Sequence, residues 1–230
     1  GVGRLSLRPD SSLILGHIEH YIRTRGVVGS MEFTDAVLAR RSEYMLDAEG
    51  VDTDAVVSAL RRIAGAVPSS FNAQSARMVV LAGDDHRVFW GIVEDVLRAK
   101  VNDPERFKRT EQKLAGFAAA AGTILFYEID GKTEDLMAKY PSYRDMFPQW
   151  AEHGNAMLQL ASWIAIRDMG LGANIQHYNP VVDARVAQTF GIPEGHRLVA
   201  QMVFGRIVVP AGPKDKLTGE DIVTVGHAKE

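Results

Sequence analysis

The chain has 230 residues and a mass of 25.2 kDa, enough to bury one substantial core. Hydrophobic residues make up 46% of it and charged residues 24%, the balance of a globular chain rather than a disordered or fibrous one. A net charge of -3 without a long run of one sign argues against nucleic acid as a partner, and the lack of cysteine excludes disulfides, thiolate metal sites and a cysteine nucleophile. No stretch approaches the roughly 18 apolar residues of a membrane helix, so no membrane association is expected and the cytoplasm is the default compartment.

Residues 1–30 carry four Arg, no Lys and one short apolar patch around Leu13 to Ile22. The segment Met31-Glu32-Phe33-Thr34-Asp35-Ala36-Val37 reads as a start, with Thr34 placed to cap a helix. Residues 1–30 are therefore expected to be an added extension, an expression scar or a misplaced start, with a targeting segment or a helix packed on a partner subunit as the other readings, and residues 31–230 the folded domain. From Asp54 to Val67, the residues Val56, Val57, Leu60, Ile63, Ala64 and Val67 share one helical face, with Asp52 or Thr53 as cap. After Pro68 comes a polar turn, and then Met78 to Leu81 reads as a buried strand ended by Gly83-Asp84-Asp85. Val88, Phe89, Ile92, Val93, Val96 and Leu97 repeat at helical spacing; Asp103-Pro104 closes that helix and opens another through Phe107, Leu114, Phe117 and Ala121.

Gly122 punctuates the end, and Thr123 to Ile129 is a second strand. The aromatic stretch from Tyr140 to Trp150 is expected to be loop or short helices. The longest helix should run from about Trp150 to Met169, with Gly154, Met157, Leu158, Ala161, Ile164 and Ala165 along one face, where small residues permit close helix approach. Gly170-Leu171-Gly172 ends it and leads to a strand from Ala173 to Tyr178, a helix started by Pro180 and a final strand from Leu198 to Phe204. The tail from Gly205 to Glu230 shows no helical period. Strands separated by helices point to an α+β protein with a mixed sheet and helices packed around it.

Three polar clusters fall in turns or at element ends, where a scaffold presents groups rather than packs them. Arg40, Arg41 and Ser42 follow the first helix; paired guanidiniums and a hydroxyl suit phosphate oxygens, although a solvated helix end also carries such residues. Pro68-Ser69-Ser70-Phe71-Asn72-Ala73-Gln74-Ser75 offers hydroxyls and amides that suit a planar heterocycle, and equally an ordinary polar turn. Gly170 to Pro180 ends a strand in Gln176, His177, Tyr178 and Asn179, and His177 is as consistent with a structural hydrogen bond as with acid or base chemistry. No Ser-His-Asp spacing, phosphate loop or Gly-x-Gly-x-x-Gly is present, and the seven His are dispersed, so hydrolase, common nucleotide-fold and metal-site readings lack support.

Taken in this order, the clusters resemble the nitroreductase family over nearly all of Glu32 to Val225, with the Ile175-Gln176-His177-Tyr178-Asn179-Pro180 wording similar to a branch related to fungal fatty-acid-repression and nitrosoguanidine-resistance proteins. The resemblance implies an α+β three-layer sandwich, a homodimer with an exchanged C-terminal tail, and FMN bound where the subunits meet. It assigns cofactor contacts to Arg40, Arg41, Ser42, Pro68, Ser69, Ser70, Asn72, Gln74, Ile175, Gln176 and His177, and to a lysine after the last core strand, Lys214 or Lys216. The aromatic segment, with Tyr140, Tyr143 and Phe147, is expected to cover the flavin and select acceptors, or else to be plain core packing. One departure stands out: where many members carry Trp soon after Asn-x-Gln, this chain has Ser75-Ala76-Arg77, and Arg77 either changes pocket polarity or simply opens a strand.

The resemblance further implies an enzyme in which hydride from NADH or NADPH reaches flavin N5 and leaves to a nitroaromatic, quinone or lipid-derived electrophile, with no protein residue acting as catalytic acid or base. Two rival expectations share the scaffold: a flavin-binding redox sensor with little turnover, and a reductive dehalogenase or flavin-fragmenting enzyme.

Overall fold

The structure, a computed structural model, describes residues 31–101 and 103–226. The expected extension, residues 1–30, lies outside the described residues. The elements run α1 (Phe33–Ala39), β1 (Met45–Asp47), α2 (Thr53–Ala64), a 3-10 turn (Ser70–Asn72), β2 (Ala76–Ala82), α3 (Gly83–Lys100) and α4 (Pro104–Ala118). There follow β3 (Gly122–Ile129), α5 (Asp130–Lys139), a second 3-10 segment (Pro141–Met146), α6 (Phe147–Asp168), β4 (Gly172–Gln176), α7 (Asp183–Phe190), β5 (His196–Val209) and α8 (Gly219–Ile222).

Local chemistry explains the helix starts. The Asp52 carboxylate accepts from Ala55 N at 3.0 Å, and Asp103 accepts from Glu105 N and Arg106 N while Pro104 occupies the first turn, where its missing N–H is not needed. Thr34 does not cap α1: the cap position is Glu32, without a side-chain bond, because the chain turns helical two residues earlier. The helix expected to start at Pro180 begins at Asp183, after a turn. The long helix starts at Phe147, ahead of Trp150, with Pro148 in its first turn.

β5 organises the sheet. β3 pairs along its residues 196–204, β4 along 201–205 and β1 along 206–209, and β2 pairs with the far side of β3. Among the described residues every strand pair is antiparallel, and the parallel character expected of a mixed sheet is confined to the isolated bridge between Ser42 and Ala173. β5 also extends to Val209, and the stretch after Gly205 begins as strand rather than aperiodic tail.

Both faces of the sheet are covered. Leu125, Tyr127, Leu198 and Val203 pack with Phe89, Trp90 and Val93 of α3, Phe107, Leu114 and Phe117 of α4 and Val186 of α7. Ile124, Phe126, Ala200, Met202 and Phe204 face Val56 and Leu60 of α2 and Leu158 and Ile166 of α6. Leu198 and Ala200 point to opposite layers despite their even spacing, because the ladder slips between Phe126 and Tyr127: Phe126 pairs with Ala200 and Tyr127 with Leu198, which leaves Val199 as the extra residue. Gly172 and Gly205 stand opposite each other in the β4–β5 ladder. A Cβ at Gly172 would lie 2.6 Å from Ile207 and 2.9 Å from Glu43, and one at Gly205 would strike the Asp47 carbonyl oxygen, so the pair permits residues 43–47 to pack closely against the β4–β5 ladder here.

α6 spans the second layer and divides its apolar residues. Gly154, Leu158, Ser162 and Ile166 are buried against this chain, with Gly154 seated on Ser69, whereas Met157 and Leu160 remain 41% and 49% exposed. The single face expected from Gly154 to Ala165 is thus split, and only its outer part is free for another molecule.

Candidate functional site

α1 ends at Ala39, and the chain runs extended through Arg40 into the parallel bridge of Ser42 with Ala173. Glu43 N donates to Ala173 O at 3.0 Å, and Asn174 Nδ2 donates to Glu43 O at 2.7 Å. Gln176 Nε2 in turn donates to Asn174 Oδ1 at 2.9 Å. Asn174 is fully buried and Gln176 nearly so, so these amides are held by one another with little rotamer freedom. The segment after β5 closes on the same place: Ala211 N donates to Glu43 Oε2 at 2.6 Å and Arg41 Nη2 to Gly212 O at 2.7 Å. The first and third sequence clusters, 130 residues apart, therefore meet, and chain connectivity puts Lys214 within about 7 Å of Gly212.

Details of this site differ residue by residue. The Arg40 guanidinium lies 4.5 Å over the Trp163 ring, a cation–π contact, while Arg41 is tied to the tail. Ile175 packs its side chain into the layer facing α2 and α6, which leaves its backbone to meet a ligand. His177 is exposed just beyond β4, and Lys214 and Lys216 are exposed in the tail. Arg167 of α6 has a buried Nε without a partner among the described residues, and burial pulls its guanidinium below its ordinary value against the opposing charge of Glu43. Sequence reading did not single out Arg167, because on a helix wheel it looks like a last-turn basic residue.

The second cluster lines a different place. A cleft of about 640 Å³ opens between α2, the 68–78 segment and α6, with Pro68, Ser69, Ser70 and Gln74 on its wall. Asn72 stands beside it and accepts from Gln74 Nε2 at 2.9 Å, while Ser69 Oγ accepts from Gln74 N at 3.0 Å. Phe71, Asn72 and Gln74 all have positive φ, at 51°, 53° and 48°. Each such non-glycine residue costs on the order of 1 kcal/mol or more, a concentration of strain typical of ligand-facing loops. None of residues 40–42 or 174–177 lines this cleft.

At the cleft, Phe71 has ring centroids of Tyr140, Phe147 and Tyr143 at 4.8, 5.2 and 5.9 Å, and Trp150 stacks on it at 6.2 Å with ring planes 18° apart. The three aromatic residues anticipated as an acceptor site do assemble, around a phenylalanine that carried no role in the sequence reading although it sits within the motif. Phe147 is buried, whereas Phe71 and Tyr143 are about half exposed. Asn155 of α6 is fully buried and donates through Nδ2 to Tyr127 O and Glu128 Oε2, both at 3.0 Å, which locks the helix behind the cleft to β3. Arg77 lines the cleft and is also exposed; its Nη1 donates to Gln74 O and Ala76 O, both at 2.8 Å.

A two-sided α+β sandwich with a cationic cluster at one strand end and a strained, aromatic-fringed cleft defines a small-molecule enzyme rather than a structural module. The sequence pattern described as the nitroreductase family matches residues 37–206, and the chain belongs to that family. The nitroreductase FRM2 of Saccharomyces cerevisiae is 32% identical over 198 residues, covering 85% of this chain and 97% of its own, as the fungal-branch resemblance implies. Among solved structures, the nitroreductase CinD from Lactococcus lactis in complex with chloramphenicol aligns with a TM-score of 0.77 and 35% identity, over 85% of this chain and 100% of that one. A nitroreductase with bound FMN from Desulfitobacterium hafniense shares the fold at a TM-score of 0.62 and 19% identity, over 86% and 100%. The protein is an oxidoreductase of the nitroreductase type. Among the described residues, no helix is long and apolar enough to cross a membrane.

Proposed function

We propose that the protein is a homodimeric, FMN-dependent oxidoreductase that takes electrons from NADH or NADPH and delivers them to nitroaromatic, quinone or related electrophilic acceptors. The observation that carries this reading is the convergence of Arg41, Ser42, Asn174, Gln176 and the segment before Lys214, while Ser69, Ser70, Ala73 and Gln74 line a separate cleft of the same chain. Two half-sites on one chain are what a pair of subunits completes.

The donor set fits FMN. Arg40, Arg41, Ser42, Lys214 and Lys216 supply cationic and hydroxyl donors for a phosphate dianion, and Arg167 adds a buried, unpartnered Nε beside Glu43. Gln176, His177 and the Ile175 backbone, with Pro68, Ser69, Ser70, Asn72 and Gln74 of the partner, supply polar groups for the edges of a flavin ring. When bound, the flavin supplies hydride transfer between nicotinamide and acceptor. The chain's residues position both molecules, and the rings around Phe71 exclude water from the acceptor side.

Dimerisation is supported by the exposed Met157 and Leu160 of α6, Phe33 and Leu38 of α1, and Leu217, Ile222 and Val223 in the tail, apolar residues that one chain leaves uncovered. Tail exchange and a cytoplasmic setting belong to the same reading, the second because the donor is an intracellular nicotinamide.

An absorption spectrum followed by anaerobic addition of NADH and then NADPH tests the proposal through the flavin band near ~450 nm. Bleaching by either donor and recovery with a nitroaromatic or quinone is the expected outcome. A protein that takes up no FMN overturns the reading, and one that binds FMN but is not reduced is a sensor instead.

A further inference from the structure

Gln201 stands in β5 where the surroundings call for an apolar side chain. It is 0% exposed and shares a strand face with Val203, so its amide lies on the side of the sheet covered by Phe89, Trp90 and Val93. Burying an amide among apolar side chains is costly unless its polar atoms are bonded. Among the described residues the side chain bonds only to the segment that follows β4: Tyr178 N donates to Gln201 Oε1 at 2.7 Å, and Gln201 Nε2 donates to Asn179 Oδ1 at 3.0 Å. The β4–β5 ladder ends at the pair Gln176 and Gln201, so where backbone pairing stops the Gln201 side chain takes over the departing chain. Tyr178 turns onto Trp90, with ring centroids 5.7 Å apart and planes at 87°. On the other side of His177, the Gln176 amide donates to Asn174 Oδ1. His177 is thus an exposed residue whose neighbours on both sides are fixed to the sheet.

We propose that Gln201 is a positioning residue of the flavin site: holding Tyr178 N and the Asn179 side chain from inside the sheet, it fixes where His177 meets the ring edge. The inference deepens the proposed function, since it rests on His177 being a flavin contact. A purely apolar side chain of the same length would fill this space without desolvating an amide, so the two bonds add little net stability. What they add is direction, because each bond tolerates only a narrow range of distance and angle. That direction passes to the next residue along the backbone. A polar group displaced by about 1 Å loses most of its bond to a ligand, which makes the placement of residues 177–179 a determinant of affinity.

The test measures Kd for FMN on the flavin-free protein, through quenching of FMN fluorescence, with and without Gln201→Met, which keeps the length of the side chain and loses both bonds. Kd is expected to rise about tenfold. Leu114→Ala, elsewhere in the same apolar layer, should lower the melting temperature and leave Kd unchanged, which separates positioning from loss of stability. In a His177→Ala background, Gln201→Met should cost no more than about twofold, because the group it misplaces is already gone. Should Gln201→Met fail to fold, Asn179→Ala removes one of the two bonds at a partly buried position and should raise Kd about threefold, again only while His177 is present. An unchanged Kd in the folded variant, an undiminished rise in the His177→Ala background, or an equal rise in Leu114→Ala overturns the inference while FMN binding by the unaltered protein stands. No FMN uptake by the unaltered protein overturns the flavin reading and this inference with it. Uptake without reduction by NADH or NADPH sinks the reductase reading alone, and the Kd values then decide the role of Gln201 as before.

Discussion

Acidification from pH 6.5 to about 4 is expected to destabilise the protein through protonation of one buried side chain, His86. The ring is 1% exposed and sits in a closed chain of hydrogen bonds. Trp90 Nε1 donates to Thr123 Oγ1 at 3.0 Å, Thr123 Oγ1 lies 3.0 Å from His86 Nδ1, and His86 Nε2 lies 3.1 Å from Phe117 O. A carbonyl only accepts, so Nε2 carries the proton, and Nδ1 accepts from the Thr123 hydroxyl. A second proton at Nδ1 would leave that hydroxyl with two donors aimed at its oxygen and no acceptor for its hydrogen. Burial pushes His86 from 6.5 down to about 4, outweighing the Phe117 carbonyl, which favours the charged form.

The folded value lies below the unfolded one, so between pH 6.5 and about 4 the unfolded chain takes up a proton that the folded chain refuses. Stability is therefore intact above the window, falls as pH falls through it, and is flat with respect to this group below it. At about 1.4 kcal/mol per pH unit, the full window is worth about 3 kcal/mol, of which about 2 kcal/mol is lost between pH 6.5 and 5. The assay is urea unfolding at fixed protein concentration, at several pH values, on the unaltered protein and on His86→Gln, whose carboxylates titrate identically. The unaltered protein should lose about 2 kcal/mol more than the variant over that interval. Parallel curves would refute the reasoning, for then His86 would be solvated or charged in the folded state.

Arg41→Ala should raise the dissociation constant for FMN by about tenfold or more, since it removes a charge-assisted phosphate bond, with the melt of the flavin-free protein little changed; full flavin content would disprove the assignment. Gly205→Ala should lower stability by about 1–3 kcal/mol in urea unfolding, because its Cβ meets the backbone at Asp47, which cannot swing aside as a side chain can. An unshifted midpoint would mean that the Asp47 backbone does not approach Gly205 so closely. Leu160→Glu should yield monomers in sedimentation velocity and release flavin if the outer face of α6 joins two subunits, and a dimer that keeps its flavin would rule out that interface.

Much of the secondary structure was readable from the chain because its causes are local. Asp52 and Asp103 announce their helices through bonds to N–H groups two or three residues away, and the apolar spacing in α3 and α4 reports a face that any helix at those positions would bury. β3 was readable as an apolar run because both of its faces are covered. α5 went unanticipated: only Thr133 of it is buried, and a helix without an apolar stripe leaves no periodic mark. β1 is three residues long and exists only because β5 runs past it 160 residues later.

For the site, residue types and order were enough to propose phosphate, ring-edge and aromatic clusters, since hydroxyls, amides, guanidiniums and rings carry their chemistry wherever they fold. Which clusters meet is a long-range matter. The Ser42–Ala173 bridge and the Arg41 bond to Gly212 join segments 131 and 171 residues apart, and nothing in either segment encodes its partner. Likewise the left-handed backbone at Phe71, Asn72 and Gln74, the inward turn of Gly154 with Met157 left outside, and the bonds of Arg77 to the Gln74 and Ala76 carbonyls follow from what packs against each segment. Sequence by itself determined the helices that carry an apolar stripe, the chemistry of the clusters and the family; only tertiary structure decided pairing, register and which face of each element is buried, because those depend on contacts between residues far apart in the chain.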